Sequence, residues 1–167
     1  AYFAYDSKKS GGVTISHLRF GTRPIDMPYL IDAADYIACH RQSYIKRFDV
    51  LRGIKDGGTF MLNCTWTDEE LEKELPARIK RSIAKHHVKF YTLNGDAIGQ
   101  KLGLGTRINM VMQAAFFALA KIIPIDDAVK YLKDSIVKSY GKKGQKVVDM
   151  NNGAVDAGIK EFHEVNY

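Results

Sequence analysis

The chain has 167 residues, 46% hydrophobic and 26% charged, which fits one domain with a substantial core and excludes disordered or collagen-like character. No apolar run approaches the roughly 20 residues of a bilayer-spanning helix, and the opening Ala-Tyr-Phe-Ala-Tyr-Asp lacks the regions of a signal peptide. Cys39 and Cys64 alone fit a reducing cytoplasm better than a disulfide scaffold and exclude a CxxC zinc or iron–sulfur site within the chain, while a net charge of +6 directs attention to phosphates or an acidic partner.

The predicted elements alternate. Residues 13–20 read as a strand, with Val13, Ile15, Leu18 and Phe20 set among polar neighbours and Gly11-Gly12 and Gly21 as turn punctuation. Residues 36–39 are a short apolar run. Tyr44, Ile45, Phe48, Leu51 and Ile54 recur at helical spacing and predict a helix over 43–54, ended by Gly57-Gly58. Residues 59–62 read as a buried strand. Thr67 with Glu70 three places on is a capping box that starts a helix, Pro76 breaks it, and a second helical stretch covers 77–86. Residues 88–93 form another strand. Helices between strands that lack polar alternation predict an α/β domain with a mainly parallel sheet covered on both faces.

Residues 107–123 predict a long helix that is apolar nearly all round and must be buried in a core or an interface. Pro124 stops it, and Asp126-Asp127 start an amphipathic helix carrying Val129, Leu132, Ile136 and Tyr140, with Gly141 placed to close it. A last helix is expected over 144–162, with Val148, Asn151, Val155, Ile159 and Phe162 on one stripe. No repeat or linker divides the chain, so residues 1–167 read as one domain. Its start in strand-like residues without an initiator Met suggests a piece from within a longer polypeptide.

Chemistry in an open parallel sheet belongs beyond the carboxyl ends of the strands, where this sequence carries His40-Arg41, Asn63-Cys64-Thr65-Trp66 and Asn94-Gly95-Asp96. Ser7-Lys8-Lys9-Ser10-Gly11-Gly12 combines two lysines, two hydroxyls and two glycines that permit close backbone approach, a set that suits a phosphate. It lacks the order of a nucleotide P-loop, and a plain hairpin turn has the same composition. Gly103-Leu104-Gly105-Thr106-Arg107 leads into the apolar helix, where first-turn amides attract anions. Arg107 and Asn109 there either bond a ligand or fix the loop, and Gly103 equally caps the helix before it. The five histidines show no metal-ligand spacing, and Cys39 and His40, adjacent on a strand, point to opposite faces. No catalytic constellation and no metal site emerge. Residues 101–146 hold nine basic and three acidic side chains, but no basic stripe with interleaved aromatics, so a free-standing nucleic-acid-binding protein stands only as the alternative reading.

The ordered motifs are more specific than their chemistry. YDSKKSGG (5–12), VTISHLRFG (13–21), DYIACH (35–40), DGGTFMLN (56–63), LGLGTRINMVMQAAFF (102–117), IIPIDDAVKYLK (122–133), SYGKKG (139–144) and MNNGAVDAG (150–158) follow one another along the chain. In this order and spacing the chain resembles the gamma domain of pyruvate:ferredoxin (or flavodoxin) oxidoreductase, in the thiamine-diphosphate-dependent 2-oxoacid:ferredoxin oxidoreductase family. The resemblance implies a three-layer Rossmann-like domain, here without the first strand and glycine-rich loop usual in that family. It implies oxidation of a 2-oxoacid, pyruvate first, with electrons passing to ferredoxin or flavodoxin and the acyl group to coenzyme A. Thiamine diphosphate and iron–sulfur clusters are then held by other domains or subunits, which are the expected partners, with no membrane and no nucleic acid involved. The gamma domain is implicated in receiving coenzyme A, so the candidate contacts are Lys8, Lys9, Ser10, Gly11 and Gly12, with Arg107 and Asn109 on the opposite loop. No turnover is expected from this piece alone.

Overall fold

Burial follows the strand period of two. Phe60 and Leu62 of β4 (Ile54–Asn63) enter one apolar cluster, and Met61 enters another on the opposite face. The computed structural model describes residues 2–5 (as backbone), 13–26 and 30–166. Strands β3 (Ala34–Cys39), β4 and β5 (Lys89–Leu93) are parallel neighbours, and the short β6 (His163–Glu164) pairs antiparallel with β5, giving the order β3-β4-β5-β6. A separate two-stranded antiparallel sheet joins β1 (Tyr2–Tyr5) to β2 (Thr14–His17). The strand expected over 13–20 is therefore shorter and lies outside the parallel sheet.

Helices cover both faces. On one face α1 (Tyr44–Arg47), α2 (Asp68–Glu74) and α3 (Ala77–Lys85) pack Ile45, Leu71, Ile79 and Ile83 over Phe60, whose ring stacks on Phe90 at 5.2 Å. On the other, α4 (Gly95–Lys101), α5 (Asn109–Ala120) and α7 (Gln145–Gly158) pack over Met61 and Leu93, and α6 (Ile125–Tyr140) joins α5 and α7 through a third cluster around Ile136 and Val148. The mainly parallel, three-layer α/β architecture expected from the sequence is present.

Local signals hold where the chemistry is local. Thr67 Oγ1 accepts from the Glu70 amide at 3.3 Å while Glu70 Oε2 accepts from the Thr67 amide at 2.9 Å, closing the capping box. Pro76 separates α2 from α3. Gly103 (φ +75°) ends α4 in a Schellman turn: its amide donates to the Gln100 carbonyl, and the Leu104 amide to the Gly99 carbonyl.

Four expectations are corrected. The helix expected over 43–54 is the single turn α1, because Phe48 turns extended and Gly53 takes φ +81° at a close approach to the Asp32 carbonyl. Ile45, Leu51 and Ile54 nevertheless all enter one core, so the spacing reports burial rather than helix. Gly57-Gly58 does not end a unit: it lies inside β4, where the β3–β4 register slips and Gly57 adopts φ +69°. The 107–123 helix contracts to α5, whose end Lys121 marks with left-handed backbone. Val111, Met112, Ala114 and Ala115 are fully buried, but residues 116–120 are only half-buried. The last helix ends at Gly158 rather than at 162.

Candidate functional site

The carboxyl ends of β3, β4 and β5 are tied together by one buried amide. Asn63 Nδ2 donates to the His40 carbonyl at 3.1 Å and to Asp96 Oδ2 at 3.2 Å, and its Oδ1 accepts from the Gly95 amide at 2.8 Å. Asn94 caps α4 by accepting from the Ala97 amide at 2.9 Å. Ile108, at the entrance to α5, sits against Gly95, so the α5 entrance stands at this same edge of the sheet.

After β4 the chain passes to α2 on one face; after β5 it passes to α4 on the other. That divergence opens a crevice between adjacent strands at the position where open α/β sheets take ligands. A cavity of about 280 Å³ occupies it, lined among others by Trp66, Thr67, Asp68, Asn94, Glu161 and His163. A smaller cavity of about 150 Å³ runs beside it along α4 and shares Asn94 and Glu161. Asp68 is set by the first turn of α2 and meets His163 Nε2 of β6 at 3.0 Å. Burial pushes the Cys64 thiol up to about 11, helped by Cys39 and Glu70, so it is a protonated, inert wall of this crevice at neutral pH. Burial also raises the Tyr91 hydroxyl, with Glu164 adding to the effect. Carboxylates and hydroxyls dominate the main crevice, and no lysine or arginine lines it, so it is poorly suited to phosphate.

Of the residues singled out from the sequence, Lys8, Lys9, Ser10, Gly11 and Gly12 lie outside the described residues. Arg107 and Asn109 are exposed at the α5 entrance and line neither cavity. Arg107 Nε donates to the Leu104 carbonyl at 3.3 Å, which folds its side chain back over the loop. Ile108 gives α5 no side-chain cap, so the first-turn amides meet no capping oxygen there. Cys39 is buried and His40 exposed, as their alternation requires. The Asp68–His163 pair escapes a sequence reading because 95 residues separate the two and β6 is only two residues long. Arg78 is a second missed residue: from α3 it donates to the Ile45 and Phe48 carbonyls at 2.6 and 3.0 Å and closes the end of α1.

The fold and its carboxyl-edge crevice define an α/β module of the open, mainly parallel kind. Residues 1–161 match the family model described as pyruvate ferredoxin/flavodoxin oxidoreductase, and the chain belongs to that family. It is 58% identical over 166 residues to the pyruvate:ferredoxin oxidoreductase of Moorella thermoacetica, and 60% identical over 166 to the pyruvate-flavodoxin oxidoreductase of Enterobacter agglomerans. It is 55% identical over 157 residues, 94% of the chain, to the mitochondrial NADP+ pyruvate dehydrogenase of Euglena gracilis. The first two alignments cover 99% of this chain but only 14% of each relative, and the third covers 9% of its relative. The chain thus spans about one seventh of the length of its first relatives. Among solved structures, a pyruvate oxidoreductase subunit PORC of Thermotoga maritima superposes with a TM-score of 0.64 at 16% identity, over 81% of this chain and 67% of that one, and shows the shared fold.

Proposed function

We propose that the chain is a non-catalytic module of an oxidoreductase that converts pyruvate to acetyl-CoA with ferredoxin or flavodoxin as electron acceptor, and that it helps to bind coenzyme A. One observation carries the reading. Relatives named for three different acceptors, ferredoxin, flavodoxin and NADP+, share 55–60% identity with this chain, whereas pyruvate is common to all three names. A module so similar across different electron exits serves the shared half of the reaction. In that half pyruvate loses carbon dioxide and two electrons, and the acetyl group leaves on the coenzyme A sulfur. A free-standing nucleic-acid-binding protein finds no support in these relatives.

The donor set here suits coenzyme A better than the other cofactors. Among the described residues no group of three or more His, Cys, Asp or Glu side chains is arranged to hold a metal ion, and both cysteines are buried. On this reading iron–sulfur clusters and thiamine diphosphate are held by other domains, which are this module's partners together with the acceptor protein. Coenzyme A carries several phosphate charges, and Arg107 beside the uncapped first turn of α5 offers a cation and backbone donors. Lys8 and Lys9, with Ser10, Gly11, Gly12 and Asn109, complete the proposed contact set.

The test is kinetic and uses the full-length enzyme. Lys8→Glu with Lys9→Glu is expected to raise the KM for coenzyme A about tenfold, while decarboxylation and the first electron transfer stay near wild type. An equal fall in both half-reactions would make the loop structural. No change in either would place the phosphates elsewhere.

A further inference from the structure

Nine large apolar residues among the described ones are exposed by more than a third, and five of them fall within sixteen positions: Ile15 (52%), Leu18 (50%), Phe20 (49%), Ile25 (47%) and Leu30 (45%). None of the five belongs to any of the three core clusters. The segment is nevertheless shaped. The Ile31 amide donates to His17 Nδ1 at 3.1 Å and Arg19 Nη2 donates to the Leu30 carbonyl at 3.0 Å, so the two ends of the 17–31 loop are clasped together. Its base is seated too: the Phe20 ring stacks on Phe116 at 5.8 Å, and Phe116 meets Tyr36 edge-on at 5.1 Å. Tyr36 stands on β3, the edge strand of the parallel sheet. Loop ends tied by hydrogen bonds while described apolar side chains between them stay half exposed are a surface already organised for a partner.

We propose that the apolar surface of Ile15, Leu18, Phe20, Ile25 and Leu30 is the seat for another module of the same polypeptide, packed in cis. The proposal rests on the reading of this chain as one module of a longer oxidoreductase. The first relatives are about seven times its length, so most of such a polypeptide lies outside this domain and is tethered to it. The tether favours that occupant over a second copy. Half of five large side chains leaves on the order of 400 Å² of apolar surface, which counted over both faces lies within the roughly 600–1,500 Å² of interfaces between domains of one chain. Tethering supplies a high effective concentration, so a patch this small suffices in cis. The matching face is apolar, and its rim accepts from the exposed Arg23 through carboxylates or carbonyls.

Hydroxyl-radical footprinting of the full-length enzyme, read residue by residue, tests this without turnover and so stands apart from the coenzyme A measurement. Leu18, Phe20, Ile25 and Leu30 are expected to oxidise at least about fivefold more slowly than their intrinsic reactivity and half-exposure require, at every enzyme concentration. Ile25→Asp with Leu30→Asp is expected to return Leu18 and Phe20 to the faster rate. Oxidation of the wild-type loop at the rate its exposure here dictates would overturn the proposal. Protection that disappears on dilution would assign the patch to a second copy and overturn the cis occupant. The wild-type footprint decides even if the double variant fails to accumulate.

Discussion

Residues 34–165 and residues 13–31 draw on the same apolar side chains and treat them in opposite ways. In the first region Ile45, Phe60, Leu62 and Val111 lose all contact with water, and every strand and helix contributes to a cluster or holds one that does. In the second, Ile25, Phe20 and Leu18 stay about half exposed although their backbone is clasped by side-chain hydrogen bonds. Hydrophobicity alone therefore does not say what a residue is for. Burial within the domain stabilises the fold at about 25 cal/mol per Å², whereas the same surface held open represents a contribution still to be collected, by whatever covers it.

The largest test of that contrast removes a ring from the centre of the buried region. Phe60→Ala deletes a fully buried side chain stacked on Phe90 between β4 and the α1–α3 layer. The expected loss is about 3–5 kcal/mol, read as a lowered urea midpoint with an unchanged slope. Next in size is Gly158→Ala. A Cβ at Gly158 would lie 2.4 Å from the Val111 carbonyl oxygen and 2.9 Å from the Ala114 Cβ, so α7 must move off α5. Overpacking of this kind costs about 1–3 kcal/mol, again measurable in urea, and a neutral result would mean that the α5–α7 contact is looser than its geometry.

The contrast also explains what could be read from the sequence. The capping box at Thr67, the break at Pro76 and the strand at 88–93 were legible because each depends on neighbours within a few residues, and the two-faced sheet because its strands lack polar alternation. The single turn α1 was not, since Arg78 and the close approach of Gly53 to Asp32 decide where it stops, and both partners are remote. Gly57-Gly58 misled because a glycine pair that ends most units here permits a bulge inside a strand. At the candidate site, the polar strand ends were visible, but Asn63 as their tie and the Asp68–His163 pair depend on topology. Residues 13–20, which lead into the exposed loop, read as an ordinary strand, since alternation records which residues are apolar and not whether this domain covers them.

A pH titration sharpens the comparison, because the buried region alone holds the cysteines. Burial raises both thiols, Cys64 to about 11, above the value near 9 of an unfolded chain. The folded state then binds more protons than the unfolded one between those values, so this contribution is complete below about pH 9 and is lost as pH rises toward 11. At pH 10 the loss is on the order of 1 kcal/mol for Cys64. Urea midpoints at pH 8 and 10 check it. Cys64→Ala should reduce the drop, and an unchanged drop would move its origin to other groups.

The smallest expected effect bears most directly on the exposed loop. Ile25→Ala removes the same atoms as a core Ile→Ala substitution, but from a side chain that is 47% exposed and belongs to no core cluster. In a buried site such as Ile45 that change costs about 2–5 kcal/mol, through lost transfer energy and the cavity left behind. At Ile25 no enclosed cavity forms, and the clasp from Ile31 to His17 and from Arg19 to Leu30 uses none of its side-chain atoms. The stability of this chain should therefore change by less than about 0.5 kcal/mol. A loss of core size in the urea titration would make the loop part of the domain's own core, and its apolar surface would need no partner to account for it.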